Sequence, residues 1–203
     1  ESCRWRTRPD VQLTGIHVRA LRIYHTGELG WELHPPMDDL AALYAAVWKA
    51  GQSQGIVDFG LYALNSLRME KAYRGWGTEL TNEVTLLEAD MARFFASRKT
   101  DFVGKAATEE KTESTLKLVY FEVDATDSDV RGGEPIFMGN DCIGVTTSGG
   151  YGYSVEKSLG FGYVSPEYAA PGSVFEVGLL DARYEAHVLE DPAYDPANMR
   201  LAS

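Results

Sequence analysis

The hydrophobic period of this chain changes near Gly104, and that change limits the folds open to it. After Gly104 apolar residues alternate with polar ones in short segments, as the inward and outward faces of a strand require. Thr115 to Val123, Cys142 to Thr147 and Val174 to Leu180 read as strands, with Gly, Asn, Asp and Pro clusters between them. Short strands divided by turns argue for an all-β barrel or sandwich in this part. The charged stretch Glu109 to Glu113 suits a linker, so the boundary is placed there.

Before Gly104 both periods occur. Val18 to Ile23 and Trp31 to His34 alternate, and they flank a reversal that reads as a tight β-turn with Gly27 and Gly30 free to take positive φ. Met37 to Ala50 reads as a helix: Asp38 and Asp39 suit its positive end, and Gly51 offers a left-handed stop. Its stripe of Leu40, Leu43, Tyr44, Val47 and Trp48 is expected to be core. A second helix over Leu61 to Ala72 puts Asn65 and Arg68 on one face. A third starts at Thr85 with the capping-box pair Thr85 and Glu88 and runs toward Phe95. Glu1 to Thr14 carries no pattern that can be assigned, and Asp191 to Ser203 reads as an irregular tail.

At 203 residues the chain has ample core for one large domain or two small ones. A net charge of −11 opposes nucleic acid and anionic membrane. An anionic ligand would need a local cationic cluster, for which Arg68, Lys71 and Arg74 are candidates; the alternative is a solvated basic stripe. Cys3 and Cys142 make no disulfide framework, which fits a reducing compartment. No run approaches the ~18 apolar residues of a membrane helix, and no signal peptide is visible. No metal site is expected. The histidines lack metal spacing with the cysteines, and in the calcium-loop-like run from Asp127, Arg131 holds a ligand position. Gly149 to Gly152 lies between expected strands, not before a helix, so a dinucleotide loop is excluded.

The reversal between the first two strands gathers His25, Glu28, Trp31 and Glu32. Carboxylates accept hydrogen bonds from the ring N–H groups of a flat heterocycle, and aromatic rings cover its face. A solvated hairpin with a charged rim explains the same residues. Alternation puts Trp31 opposite Glu32, so Trp31 is expected in the core.

The run from Tyr24 to Glu32 resembles the Tyr-Thr-Gly-Glu-x-Gly-(aromatic)-Glu signature of the aminomethyltransferase family. That family includes the glycine-cleavage T-protein and the folate-binding C-terminal half of dimethylglycine and sarcosine dehydrogenases. Asp58 to Lys71 is similar to the family's Ser-Leu-Arg-Leu-Glu helix, and Trp76 to Thr81, Thr85 to Ala89 and Asp101 to Lys105 are similar to further segments in the family's order. Thr147 to Ser154 and Leu159 to Val164 resemble its C-terminal barrel. Trp31, Tyr62 to Ser66 and Tyr151 to Ser158 look like the dehydrogenase branch, and Leu64 stands where the T-protein has a folate-holding arginine.

The resemblance implies an α+β chain. Residues 1–14 stay unassigned, residues 15–112 would be the C-terminal part of a folate-binding α/β domain, and residues 113–203 an antiparallel β-barrel. It implies transfer of a one-carbon unit from an oxidised methylamine to tetrahydrofolate. The alternatives are a stand-alone T-protein-like aminomethyltransferase or folate-dependent demethylase, and a non-catalytic folate-binding or structural module. By the same resemblance Glu32 accepts hydrogen bonds from the pterin, and His25 takes the place of a ligand-side tyrosine. Tyr62 falls on the ligand side, and Arg68 either holds a folate carboxylate or forms a buried ion pair locking its helix to a sheet. The family's catalytic aspartate has no counterpart here, so the chain is expected to be a fragment whose partner is a missing N-terminal segment. FAD is expected only if that segment is a flavin domain. The compartment implied is the cytoplasm, or the mitochondrial matrix in a eukaryote.

Overall fold

The structure, a computed structural model, describes residues 8–23, 25–110 and 114–202. Tyr24 of the reversal and residues 111–113 of the expected linker lie outside the described residues. Contacts divide the chain into two compact units, one of Glu1–Leu64 with Asp195–Ser203 and one of Asn65–Tyr194.

The first unit is built on a three-stranded antiparallel sheet, β1 (Asp10–Leu13), β2 (Ile16–Leu21) and β3 (Glu32–His34), in that order. β1 falls in the stretch left unassigned from sequence. Its signal was Thr14-Gly15, which takes φ 53° and 85° and closes the pair Leu13 and Ile16 as a two-residue hairpin. The expected β2–β3 pairing forms, with Arg19 opposite His34 and Leu21 opposite Glu32. Its connection is wider than a tight turn, spanning residues 22–31, and positive φ occurs at Gly27 (78°) but not at Gly30.

The first expected helix is a 3-10 turn at Met37–Asp39 followed by α1 (Leu40–Gly51). Gly51 does not stop it. The chain continues through a turn at Gln52–Gln54, and Gly55 at φ 76° ends it, with the Ile56 N–H bonded to the Gly51 carbonyl at 3.1 Å. Gly51 serves close packing instead, because a Cβ there would lie 2.7 Å from that of Ile56. Of the predicted apolar stripe only Leu43 is buried; Leu40, Tyr44 and Val47 are exposed. Trp31, expected in the core, is exposed as well.

In the second unit, β4 (Lys117–Val123), β5 (Pro135–Met138), β6 (Asp141–Gly152), β7 (Lys157–Val164), β8 (Val174–Leu179) and β9 (Ala182–Val188) close a barrel in the order β4-β7-β6-β5-β8-β9. Every pairing is antiparallel. Phe121, Val130, Ile136, Val164, Phe175 and Val177 fill its interior. Leu118, Tyr120, Phe161 and Tyr163 point outward, yet are buried around Met69, so β4 and β7 have two covered faces. That second cover comes from the end of α2 (Leu61–Glu70), a helix within which the division of the units falls. α3 (Lys105–Glu110) precedes the barrel and α4 (Met199–Ala202) closes the first unit.

The third expected helix is absent. The Thr85–Glu88 capping box does form, with the Glu88 N–H on Thr85 Oγ1 at 3.2 Å and the Thr85 N–H on Glu88 Oε2 at 2.8 Å. After one turn Asp90 takes φ 54°, which ends the helical path, and only a 3-10 turn at Ala92–Phe94 follows. The run Gly149 to Gly152, placed between strands on sequence, lies inside β6. There the helix packs directly on the strand: Asn65 Nδ2 donates to the Gly149 carbonyl at 2.9 Å, and Ser66 Oγ to that of Tyr151 at 2.5 Å. A Cβ on Gly152 would sit 2.9 Å from Glu70 Cγ.

Candidate functional site

The alternation of β2 sends Val18 and Ala20 inward and His17 and Arg19 outward. Residues opposite one another in an antiparallel ladder share a face. The register therefore puts Glu32 and His34 on the open face with Leu21 and Arg19. Glu32, the leading sequence candidate, is exposed there, and its Oε2 lies 3.2 Å from His34 Nε2. His34 was not anticipated as its partner, although a strand spacing of i, i+2 is the signal that could have found it. Arg19 Nε donates to Asp10 Oδ1 at 3.2 Å across the β1–β2 pair. Arg8, His17, Arg19, Leu21, His34 and the prolines 35 and 36 enclose a cavity of about 480 Å³ on this face. His25 is exposed in the reversal, and Tyr62 is 87% exposed at the start of α2.

Arg68 has a different environment. It is 5% exposed in the second unit, and all five of its N–H donors have partners. Nε and Nη2 donate to Asn65 Oδ1, Nη1 to the Tyr73 carbonyl and to Glu79 Oε2, and Nη2 also to Ser148 Oγ, at 2.8–3.0 Å. Of the two roles open from sequence, this geometry is that of the buried ion pair. Glu79, fully buried, also accepts from the Gly75 N–H at 2.8 Å, Thr78 Oγ1 at 2.9 Å, Thr147 Oγ1 at 2.7 Å and Ser148 Oγ at 2.5 Å. Adjacent strand residues normally face opposite ways. Here a bulge between Thr146 and Ser148 lets both hydroxyls reach one carboxylate. Burial pushes the Glu79 carboxyl up, but the bonds from Ser148, Thr147 and Gly75 and the charge of Arg68 outweigh it and hold the group below its ordinary range.

The other two bases of the expected cationic cluster are also engaged. Lys71 is 1% exposed, and Arg74 bonds Asp90 Oδ2 at 2.6 Å and the Ala89 carbonyl at 3.2 Å. α2 ends at Glu70, so neither lies on the helix face that sequence assigned them, and neither belongs to a solvated stripe. Glu32, His25 and Tyr62 belong to the first unit and Arg68 to the second, so the four are not gathered within one unit.

A grouping the sequence did not suggest lies on the barrel. Asp124, Glu185 and His187 bring three ligand-type atoms within 4.8 Å of one another, because the Asp124 N–H pairs with the Glu185 carbonyl at 2.9 Å and His187 is two residues along the same strand. Among the described residues no helix is long and apolar enough to cross a membrane.

Two family models match the chain: the GCVT N-terminal domain over residues 1–99, and the glycine cleavage T-protein C-terminal barrel domain over residues 117–195. Mitochondrial dimethylglycine dehydrogenase of Mus musculus is 44% identical, covering 93% of this chain and 22% of that protein. Mitochondrial sarcosine dehydrogenase of Mus musculus is 32% identical over 94% of this chain and 22% of its own length. The aminomethyltransferase of Symbiobacterium thermophilum is 32% identical over 94% of this chain and 52% of its own. Among solved structures, the glycine cleavage system aminomethyltransferase T from Bartonella henselae matches with a TM-score of 0.79 at 26% identity, over 88% of this chain and 50% of that one. The chain thus spans 22% of the dehydrogenases and about half of the aminomethyltransferases.

Proposed function

Because the chain belongs to the glycine cleavage T-protein family, we propose that it forms a folate-facing part of a dimethylglycine or sarcosine dehydrogenase-like enzyme. The observation that carries this reading is Glu32, an exposed carboxylate held beside His34 on the open face of a short sheet. A carboxylate can accept two hydrogen bonds side by side, which matches the amino group and adjacent ring nitrogen of a pterin. Tetrahydrofolate, when bound, supplies the nitrogen that takes up the one-carbon unit. The residues of this chain bind and orient: Glu32 fixes the ring, and His25 and Tyr62 approach its faces. Arg68 contributes by holding its helix against β6 rather than through a donor of its own. The proposed compartment is the mitochondrial matrix, after the dehydrogenase relatives.

Calorimetric titration of the chain with tetrahydrofolate tests this reading. Glu32→Gln is expected to weaken binding by about 1.5–3 kcal/mol, the range for a hydrogen bond to a charged group. Equal affinity in wild type and variant would place Glu32 outside the site, and no heat at high micromolar ligand would remove the folate reading altogether.

A further inference from the structure

We propose that Asp124, Glu185 and His187 hold a divalent transition-metal ion, which clips the first strand of the barrel to the last. All three residues belong to the second unit, apart from Glu32 and the folate reading built on it. The register brings them together. Val123 stands opposite Ala186 in the β4–β9 pair, and the Asp124 N–H continues the ladder onto the Glu185 carbonyl at 2.9 Å. Phe121, Val123, Ala186 and Val188 belong to the core inside the barrel, so the residues alternating with them face outward. Asp124, Glu185 and His187 therefore share the outer surface at the seam where the ring closes.

That surface calls for a cation. Like charges directly opposite one another across a ladder repel. Glu185 has Asp124 beside it on one side and stands opposite Glu176 of β8 on the other, so one carboxylate is flanked by two. Arg183 pairs with Glu176 and Lys157 with Glu122, whereas Asp124 and Glu185 both face His187 Nε2, at 3.5 and 3.2 Å. One ring nitrogen has a single N–H to share between two carboxylates, or a single lone pair to set beside theirs on a common cation. The distances suit the second arrangement. Ligand atoms about 2.1 Å from a tetrahedral zinc ion lie about 3.4 Å from one another, close to the 3.5 and 3.2 Å at this seam. All three ligand-type atoms lie within 4.8 Å of one another, and rotation of the two exposed carboxylates closes the third edge. An imidazole with two carboxylates favours first-row transition ions over magnesium and calcium, which prefer oxygen ligands alone. Three protein ligands leave the fourth position to water. Asp124 follows the first strand of the barrel and His187 lies on the last, so the short-range spacing on which no metal site was expected could not connect them.

Calorimetric titration of the metal-free full chain with zinc chloride tests the site. One zinc ion per chain is expected to bind at this seam, and His187→Gln should weaken that binding roughly tenfold or more, a loss that even an outer partner of a metal ligand produces. Asp124→Asn should weaken it as well. Both variants replace one exposed polar side chain by another, and a far-ultraviolet spectrum checks that the barrel stays folded. Other histidines can also take up zinc, so the quantity read is the component that disappears with His187→Gln. Equimolar magnesium should not displace it. Hydrogen exchange reports the clip: zinc should slow exchange of the Asp124 and Leu189 amides, whose bonds to the Glu185 and Tyr120 carbonyls cross the seam, and should not do so in His187→Gln. No zinc uptake, uptake unchanged in His187→Gln, or displacement by equimolar magnesium would overturn the site. Uptake lost in the variant without slower exchange at the two amides would overturn the clip.

Discussion

Glu79 and Arg68 illustrate how a buried charge is kept. Each is surrounded by partners drawn from distant parts of the chain: a turn at Gly75–Glu79, the helix residue Asn65, and the bulged hydroxyls of β6. Removing one partner of such a pair leaves the other charged and buried, which costs about 3–5 kcal/mol. Arg68→Ala should therefore lower the urea midpoint of the barrel unit markedly, whereas a stability unchanged within error would mean that water replaces the guanidinium. The Glu79 carboxyl lies below its ordinary value of 4.5 in the folded state. Its contribution is complete above that value and is lost as pH falls through the lower folded-state value. Acid titration of wild type and Glu79→Gln should show the wild type losing stability in that window and the variant losing less. Sequence gave the helix face shared by Asn65 and Arg68, but not Glu79. That partner lies 11 positions away through an irregular turn, and no spacing rule connects the two.

At the level of strands and helices, legibility followed length and period. The β2–β3 pairing and the central helices carried strong patterns and occur where expected. The third helix failed although its cap is intact, because a cap satisfies the first N–H groups and says nothing of the next turn. The left-handed stop falls at Gly55 rather than at Gly51, which keeps φ −80° and instead leaves room for the close approach of Ile56. Gly149 to Gly152 is placed between strands on sequence because glycine is rare inside strands. Two of these glycines give room to side chains of α2: a Cβ on Gly150 would lie 3.1 Å from Asn65 Nδ2 and one on Gly152 2.9 Å from Glu70 Cγ, while Gly149 gives room to Val130. Gly152→Ala should accordingly force the Glu70 side chain aside, disturb its 2.6 Å bond from the Ser154 N–H, and cost about 1–3 kcal/mol, the usual scale of overpacking. Differential scanning calorimetry would measure it. An unchanged melting temperature would show that Glu70 yields freely.

For the chain taken together, alternation and turn spacing indicated an all-β second half, and the family resemblance chose a barrel over a sandwich. Neither could order the strands, since closure depends on pairings between segments far apart in sequence. The structure supplies that order, and its closing step joins the first barrel strand to the last: Phe121 of β4 stands opposite Val188 of β9, and the Leu189 N–H bonds the Tyr120 carbonyl at 2.8 Å. A ring of strands has no intrinsic first member. A gene rearranged to begin at Ala182, with the last residue of the chain joined to the first through a long flexible linker and a new opening at the exposed Leu180 turn, keeps every residue and should still encode the same six-stranded ring. A near-ultraviolet spectrum matching that of the natural order would show that the ring, rather than the sequence in which its strands are made, specifies this half of the protein.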